Sequence, residues 1–438
     1  MNKESQPRAK ISVFWFRRDL RLEDNTALEK ALSSGYPVMP VFIFDTQIID
    51  ELSADDARIS FIYKHLLNIH KQLVSRDSSL HIYKGEPLAV WKELLSRYEI
   101  QAVHVNKDYE PYALQRDGEI ADLLEKRGIG FLRFKDQVIF EESEIVKKDG
   151  KPYTVFTPYK RKWLERFQGG SYLSPAREPG SGFLKSTHFF PQMETLGFRP
   201  SPIQVPPYDL SRLKDYPVLR DIPAPEATSH LSPHLRFGTV SIRQIMARLG
   251  PSDEVFLSEL IWREFFMQIL FHFPRVVDQN FKPKYNGIAW LNNQKDFERW
   301  CEGKTGYPLV DAGMRQLNAT GTMHNRVRMV TAGFLCKHLL IDWRMGEAYF
   351  ATRLLDYELS SNNGNWQWAA GTGCDAAPYF RIFNPMEQLK KFDPDLEYVQ
   401  RWVPEFGTRE YVSPMIDHRF ARDRALETFR EAIQKYLP

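Results

Sequence analysis

ISVFWF at residues 11–16, PVMPVFIFD at 37–45, SLHIYK at 79–84, QAVHV at 101–105 and GFLRF at 130–134 decide the fold of the first third of the chain. The first two runs are almost unbroken in their apolar character, as strands covered on both faces are. Between the five runs lie stretches with helical spacing, near 24–33, 55–75, 86–98 and 111–127. Short buried strands alternating with helices predict a doubly wound parallel sheet. The first strand leads into RRDLRLEDN (17–25), which lacks the glycines of a dinucleotide fingerprint, so nothing here points to NAD. Ligands of such sheets sit beyond the carboxyl ends of the strands, which singles out the rim formed by 17–25 and 106–117.

The rest of the 438 residues do not continue this pattern, and a chain of that length is expected to form two domains. From 136 to 225 periodicity fails; ten of the 28 prolines lie between Pro175 and Pro225, with glycines at 169, 170, 180 and 182. This reads as a long connector that wraps over the surface. From Ser232 onward the spacing is helical, over 241–250 (ended by Gly250 as a cap), 253–272, 307–319, 324–340, 345–356 and 416–436. The expected divisions are an α/β domain at 1–135, a connector at 136–225 and an all-helical domain at 226–438.

Composition narrows the function classes. Lys plus Arg is 59 against 56 for Asp plus Glu, a formal charge of +3, too small an excess to argue for or against nucleic acid. Cys301, Cys336 and Cys374 are widely spaced, which argues against a disulfide scaffold or a thiolate metal site and fits ordinary thiols in a reducing cytoplasm. No run reaches the roughly 18 apolar residues of a membrane span, and MNKESQPRAK at the start has no apolar signal core. Eight of the ten tryptophans lie at or beyond Trp163, a bias that suits a core or a stacking site equally.

Four stretches carry candidate chemistry. In SELIWREFFMQ (258–268), Glu259, Trp262 and Arg263 share one helical face, while Phe265, Phe266, Ile269 and Leu270 can form the core stripe alone. A surface ion pair over a core tryptophan and a charged cavity wall both fit that spacing. HNRVRMVTAGF (324–334) pairs Asn325 with Met329 and His324 with Arg328 at four-residue spacing; His324 has no companion for a metal. DYELSSNNGNWQWAAGTGCDAAPYFRIFNP (356–385) reads as a dense non-periodic element whose Gly, Asn and Ser allow close backbone approach to a ligand, or as a glycine-rich turn packed by tryptophans. In ATSHLSPHLRFG (227–238), Thr228, Ser229 and Ser232 before a helix suit an N-cap or a phosphate-binding turn. No nucleophilic triad is arguable.

Taken together, FWFRRDLRLEDN (14–25), DYEPYALQRD (108–117), the dense 256–385 region and RIFNP (381–385) resemble the photolyase/cryptochrome family over essentially the whole chain, most like its bacterial class I cyclobutane pyrimidine dimer (CPD) members. The resemblance implies an N-terminal α/β domain, a long connector and a helical domain holding FAD in a folded conformation. By position, the flavin site would comprise Tyr216, Thr228, Ser229, Leu231, Ser232, Phe256, Arg263, Asn325, Arg328, Asp356, Glu358 and Asn362. Glu358 is one methylene longer than the aspartate often found there, and Asn362, near the flavin N5, favours a stable reduced flavin and repair. The lesion pocket would comprise Glu259, Trp262, Asn325, Met329 and Trp368. Arg220, Arg326, Arg328, Arg344 and Arg381 are the implied phosphate contacts, and Trp366, Trp343 and Trp290 an electron relay from flavin to surface.

The same resemblance implies light-driven, FAD-dependent splitting of cyclobutane pyrimidine dimers flipped out of DNA, with the anionic reduced flavin as the active form. Glu110 lies in the region of a second, antenna chromophore of undetermined identity; Val277 and Asp278 stand where folate-binding members present Cys and Lys. No metal, membrane or obligate protein partner is expected, and the enzyme should be a cytoplasmic monomer. The rival readings are a cryptochrome-type photoreceptor with the same flavin and no repair, against which Glu259, Met329, Asn362 and the absence of a long tail before Pro438 count, and a nucleic-acid-binding module without turnover.

Overall fold

Strands β1 (Lys10–Phe16), β2 (Val38–Asp45), β3 (His81–Gly85), β4 (Glu99–Asn106) and β5 (Gly130–Phe134) form one sheet in the order β3-β2-β1-β4-β5. Every neighbouring pair is parallel. This computed structural model describes residues 9–168 and 180–436. β1 and β2 are buried on both faces, as their apolar runs predict. Alternation sends Phe14, Phe16, Phe42 and Phe44 into one core and Val13, Trp15, Val41 and Ile43 into the other. Helix Ala57–Val74 supplies Leu66 and Ile69 to the first core, and helices Pro87–Arg97 and Pro111–Glu125 supply Trp91 and Ile120 to the second. The doubly wound reading is therefore correct, and the order reverses at β1 and β4, which puts 17–25 and 106–117 beside the switch point.

The described residues divide into two compact units. The first draws on 1–141, 167–205 and 232–249, the second on 142–166, 206–231 and 250–438, so the expected connector is shared between them. Gly169, Gly170 and Pro175 lie outside the described residues, as does most of the MNKESQPRAK start. Part of the connector is ordered structure rather than a wrap. In the first unit Phe183 bridges Val38 at the start of β2. In the second, helix Phe156–Gln168 buries Phe156, Tyr159 and Trp163, with the Trp163 indole N–H donating to Glu264 at 2.7 Å.

The second unit's core is helical. Helices Glu254–His272, Pro308–Thr320, Asn325–Gly333, Trp343–Arg353 and His418–Tyr436 fall where spacing predicts them, with three corrections nearby. Residues 324–340 are not one α-helix: after Gly333 the chain widens into a π-helical turn, Phe334–His338. Gly250 (φ −101°) does not cap the helix before it, which is only Ile242–Met246, started by a Ser241–Gln244 capping box and ended at Ala247. Most importantly, the element read as non-periodic contains a 12-residue helix, Leu359–Ala370.

That helix packs against Glu254–His272, Asn325–Gly333 and Trp343–Arg353. Two glycines permit the approach. A Cβ at Gly364 would lie 2.2 Å from the Phe266 ring, and one at Gly346 would lie 2.2 Å from the Trp366 ring. Among the described residues no helix is long and apolar enough to cross a membrane.

Gly346→Ala and Gly364→Ala should therefore each overpack the helical unit, at a cost of about 1–3 kcal/mol, read as a lower urea midpoint. A second expectation concerns pH. Burial, reinforced in His65, His81 and His338 by a neighbouring histidine, lowers His65 to about 4, His81 to about 3 and His338 to about 3, from an ordinary 6.5. These rings are neutral when folded and bind protons more readily when unfolded. Their contribution is present above pH 6.5 and is lost as pH falls from there towards 3; thermal melts across that range should show declining stability, and a flat profile would contradict it.

Candidate functional site

Helix Glu254–His272 is the wall from which the site is built. Its Phe265, Phe266, Ile269 and Leu270 are buried, whereas Glu259, Trp262 and Arg263 are all half-buried. Phe266 and Leu270 recur at helical spacing on the same side as Glu259 and Arg263, and Trp262 contacts Phe266, so the half-buried residues are not a separate face. Burial instead increases along the helix, and each of the three half-buried residues has a partner. Glu259 pairs with Arg220 at 2.8 Å. Arg263 lies 3.6 Å from the buried Glu358, which also accepts from Ser361 Oγ at 3.0 Å. Trp262 stacks flat on Phe156, with centroids 3.6 Å apart and planes at 8°. Phe156 lies in the stretch read as connector, although Phe156, Tyr159 and Trp163 recur at i, i+3 and i+7, a helical signal that could have found it.

Arg220 ends helix Tyr216–Leu219 and faces a second charged group. Burial disfavours its charge, but Glu259 and Tyr216 more than compensate and raise its pKa. Burial and Glu259 likewise push the Tyr216 phenol up to about 12, so it stays neutral. Tyr216 meets Phe256 edge-on at 5.2 Å. Asp221, the next residue after Arg220, accepts from Arg326 at 2.7 Å, and the Arg326 guanidinium also covers the Phe392 ring at 4.5 Å.

His324 is the N-cap of helix Asn325–Gly333, accepting from the Arg326 N–H at 3.2 Å. Burial lowers its pKa to about 4; Asp221 opposes this, while Arg328, Arg326 and Arg220 reinforce it. Its Nε2 is buried with no partner. Arg328 makes two contacts with Asp356, at 3.0 and 3.2 Å, and donates to the Met323 carbonyl at 2.8 Å. Asn325 is exposed and Met329 half-buried, one turn apart.

Helix Leu359–Ala370 carries Asn362 and Trp366 one turn apart and buried, with Trp368 half-buried and turned away from them. The buried Asn362 amide donates to Glu347 Oε1 at 2.8 Å and to the Glu347 carbonyl at 3.2 Å. Burial raises the Glu347 pKa, opposed by hydrogen bonds from Asn362 and Tyr357. Glu347 was not singled out by sequence, although it lies four residues after Trp343 on the same helix. Trp366 and Trp343 are fully buried and Trp290 is half-buried, an inward-to-outward gradient. The Trp343 indole N–H donates to Asn280 at 2.9 Å, and Trp366 also meets Trp300 edge-on at 6.2 Å.

The expected phosphate contacts differ in their surroundings. Arg381 is exposed, whereas Arg344 is held by Asp342 and by the Asp278 carbonyl. In the 226–231 turn, Glu226 and His230 have positive φ (47° and 50°), and Ser229 Oγ accepts from the Leu231 N–H at 3.3 Å between the half-buried Thr228 and the buried Leu231. Ser232, exposed on helix Leu231–Phe237, belongs to the first unit's part of the chain. Also in the first unit, Glu110 precedes helix Pro111–Glu125 and pairs with Arg18 (2.9 Å) and Arg236 (3.7 Å).

The chain matches two family models, that of DNA photolyase over residues 12–180 and that of the FAD binding domain of DNA photolyase over 256–410. It is 36% identical to the deoxyribodipyrimidine photo-lyase of Vibrio cholerae, covering 96% of this chain and 100% of that one. Among solved structures, a class III photolyase from Agrobacterium tumefaciens matches with a TM-score of 0.86 at 33% identity, over 99% of this chain and 100% of the other. An archaeal photolyase from Sulfolobus tokodaii with two FAD molecules matches with a TM-score of 0.83 at 35% identity, over 96% and 99%. These likenesses do not single out class I.

Glu347→Leu should remove the shorter of the two contacts of the buried Asn362 amide and leave only the one to the backbone carbonyl of residue 347, costing about 1–3 kcal/mol. Glu347→Gln keeps an acceptor and should cost less; equal urea midpoints for the two variants would refute the role assigned to Glu347.

Proposed function

The chain belongs to the DNA photolyase family, and from that membership we propose that it repairs cyclobutane pyrimidine dimers in DNA using light. The observation that carries the reading is the half-buried Glu259–Trp262–Arg263 group, flanked by Arg220 and Arg326, on a helix packed against the one bearing Asn362.

The residues fit FAD. The orphaned His324 Nε2, the hydroxyls of the positive-φ turn at 226–231, and the Arg263–Glu358 and Arg328–Asp356 pairs offer the mixed donors and acceptors that phosphates, hydroxyls and ring edges need. Tyr216, Thr228, Ser229, Leu231, Phe256, Arg263, Asn325, Arg328, Asp356, Glu358 and Asn362 are its proposed contacts. Held there in its reduced form, FAD would supply light-driven, reversible one-electron chemistry for opening the cyclobutane ring, with no net redox change.

The chain's own residues bind and orient. Arg220, Arg326 and Arg381 grip phosphates, with Arg328 and Arg344 in lesser roles. Trp262 and Trp368 present apolar faces to the flipped dimer, Met329 packs on its pyrimidines with Asn325 alongside, and Glu259 hydrogen-bonds a thymine edge. Glu347 holds the Asn362 amide in one orientation. Trp290, Trp343 and Trp366 conduct electrons inward to reactivate an oxidised flavin. Glu110 lies at the antenna region. We infer a cytoplasmic monomer that needs no protein partner.

The test is repair of a defined thymine dimer in an oligonucleotide by anaerobically photoreduced protein, in light and in darkness. Light-dependent restoration of thymines is expected; a flavin-loaded, reduced protein that restores none would move the reading to a photoreceptor. Glu259→Gln should weaken discrimination for the lesion by about 1–3 kcal/mol. Arg326→Gln should weaken binding to damaged and undamaged DNA alike and reduce the salt slope by about 1.

A further inference from the structure

Lys337 is a buried cation that the proposed mechanism does not use. It lies on the π-helical turn Phe334–His338 and is 2% exposed, a rare state for a lysine. Among the described residues no carboxylate pairs with it. Two other features hold its Nζ. It donates to the Ala370 carbonyl at 2.7 Å, at the negative end of helix Leu359–Ala370, and it lies 3.5 Å above the centre of the Phe429 ring. A Cβ at Gly371 would come within 3.4 Å of it, so the space around the amine is tightly bounded.

Phe429, fully buried on helix His418–Tyr436, also meets Trp290 edge-on at 5.8 Å. A buried ammonium and the outermost tryptophan of the relay therefore contact the same aromatic ring. When an electron moves inward from Trp290 through Trp343 and Trp366 to oxidised flavin, the positive charge left behind ends on the Trp290 indole. It is cleared there by loss of the Nε1 proton to water or by an electron from an added thiol. Until then it sits beside the ring that Lys337 also touches.

We propose that Lys337 is an electrostatic positioning residue of the relay, whose ammonium opposes positive charge on Trp290 and so limits how far charge separation proceeds. The inference rests on the relay reading given above. With both groups in contact with Phe429 and an effective dielectric constant of about 20, the repulsion shifts the charge distribution on the order of tenfold.

The charge is titratable near neutrality. Burial lowers the Lys337 pKa to about 7, with Cys336 opposing the shift. The other groups around it do not copy that behaviour. On its own turn, burial raises the Cys336 thiol far above neutrality, and burial with His418 lowers His338 to about 3. On helix His418–Tyr436, burial lowers the pKa of His418, and Arg424, lowered from a much higher value, donates to the His338 carbonyl. Tyr285, raised by burial, and Tyr379 contact the Phe429 ring from the remaining sides. Asp342 and Asp296 act on Cys336 and Arg424 respectively.

The experiment follows photoreduction of the flavin-loaded, oxidised protein with a thiol donor, and the tryptophan radical by transient absorption, from pH 6 to 8.5. In the parent protein the radical yield should rise with pH as Lys337 loses its charge. Lys337→Met should give a yield about tenfold higher than the parent at pH 6 and independent of pH. Lys337→Arg should stay low at every pH. A merely structural role predicts the opposite sign, a lower yield in Lys337→Met through loss of the Ala370 contact, and that result would overturn the proposal. Trp290→Phe separates the two claims. If it leaves the radical and photoreduction unchanged, the relay reading itself falls; if it abolishes them while Lys337→Met matches the parent at every pH, only the role of Lys337 falls. Should Lys337→Met fail to fold, Lys337→Gln, which keeps a donor for Ala370 without the charge, carries the same test.

Discussion

Two missing side chains let the helical unit close around its site. At positions 346 and 364 a Cβ would stand 2.2 Å from the rings of Trp366 and Phe266. Glycine therefore brings helix Leu359–Ala370 against its neighbours at a distance any other residue forbids. The helix carries Asn362, Trp366 and Trp368, and its end receives Lys337. Glycine and asparagine are poor helix formers, so tertiary burial rather than intrinsic propensity sustains it.

The charges of the site are arranged in pairs. Arg220 with Glu259, Arg326 with Asp221, Arg328 with Asp356 and Arg263 with Glu358 leave little bare positive potential. A substrate phosphate or base edge must exchange partners with these pairs rather than fill an empty cationic surface. Such an exchange is inexpensive for the half-exposed pairs and steep for buried ones, where an abandoned partner loses both water and counter-charge. On this basis Arg220 and Arg326 suit a reversible encounter better than Arg263 does.

Legibility differed between the units for a definable reason. The five strands and the helices between them could be read because a sheet covered on both faces demands continuous apolar runs. In helix Glu254–His272 the spacing puts Phe266 and Leu270 on the same side as Glu259 and Arg263, so the difference between its half-buried and buried residues is set by what packs along the helix and not by its period. The helix at 359–370 was hidden because nearly every side of it is occupied, leaving no amphipathic pattern to count. Phe156 was legible but passed over, since its helix shows buried aromatics at i, i+3 and i+7 just before the proline-rich stretch, whereas Glu347 had an ordinary surface-like spacing.

What the sequence by itself determined was the layer architecture of the first unit, the helical nature of the second and the residue types available to a flavin and a damaged base. Those are local properties, set by periodicity, propensity and side-chain chemistry. Tertiary structure alone decided the pairings: Trp262 on Phe156, Asn362 on Glu347, Arg220 on Glu259, and Lys337 over Phe429. Each of these joins segments from 15 to more than a hundred positions apart. Their energies depend on burial and on distance in space, and neither quantity has a period along the chain.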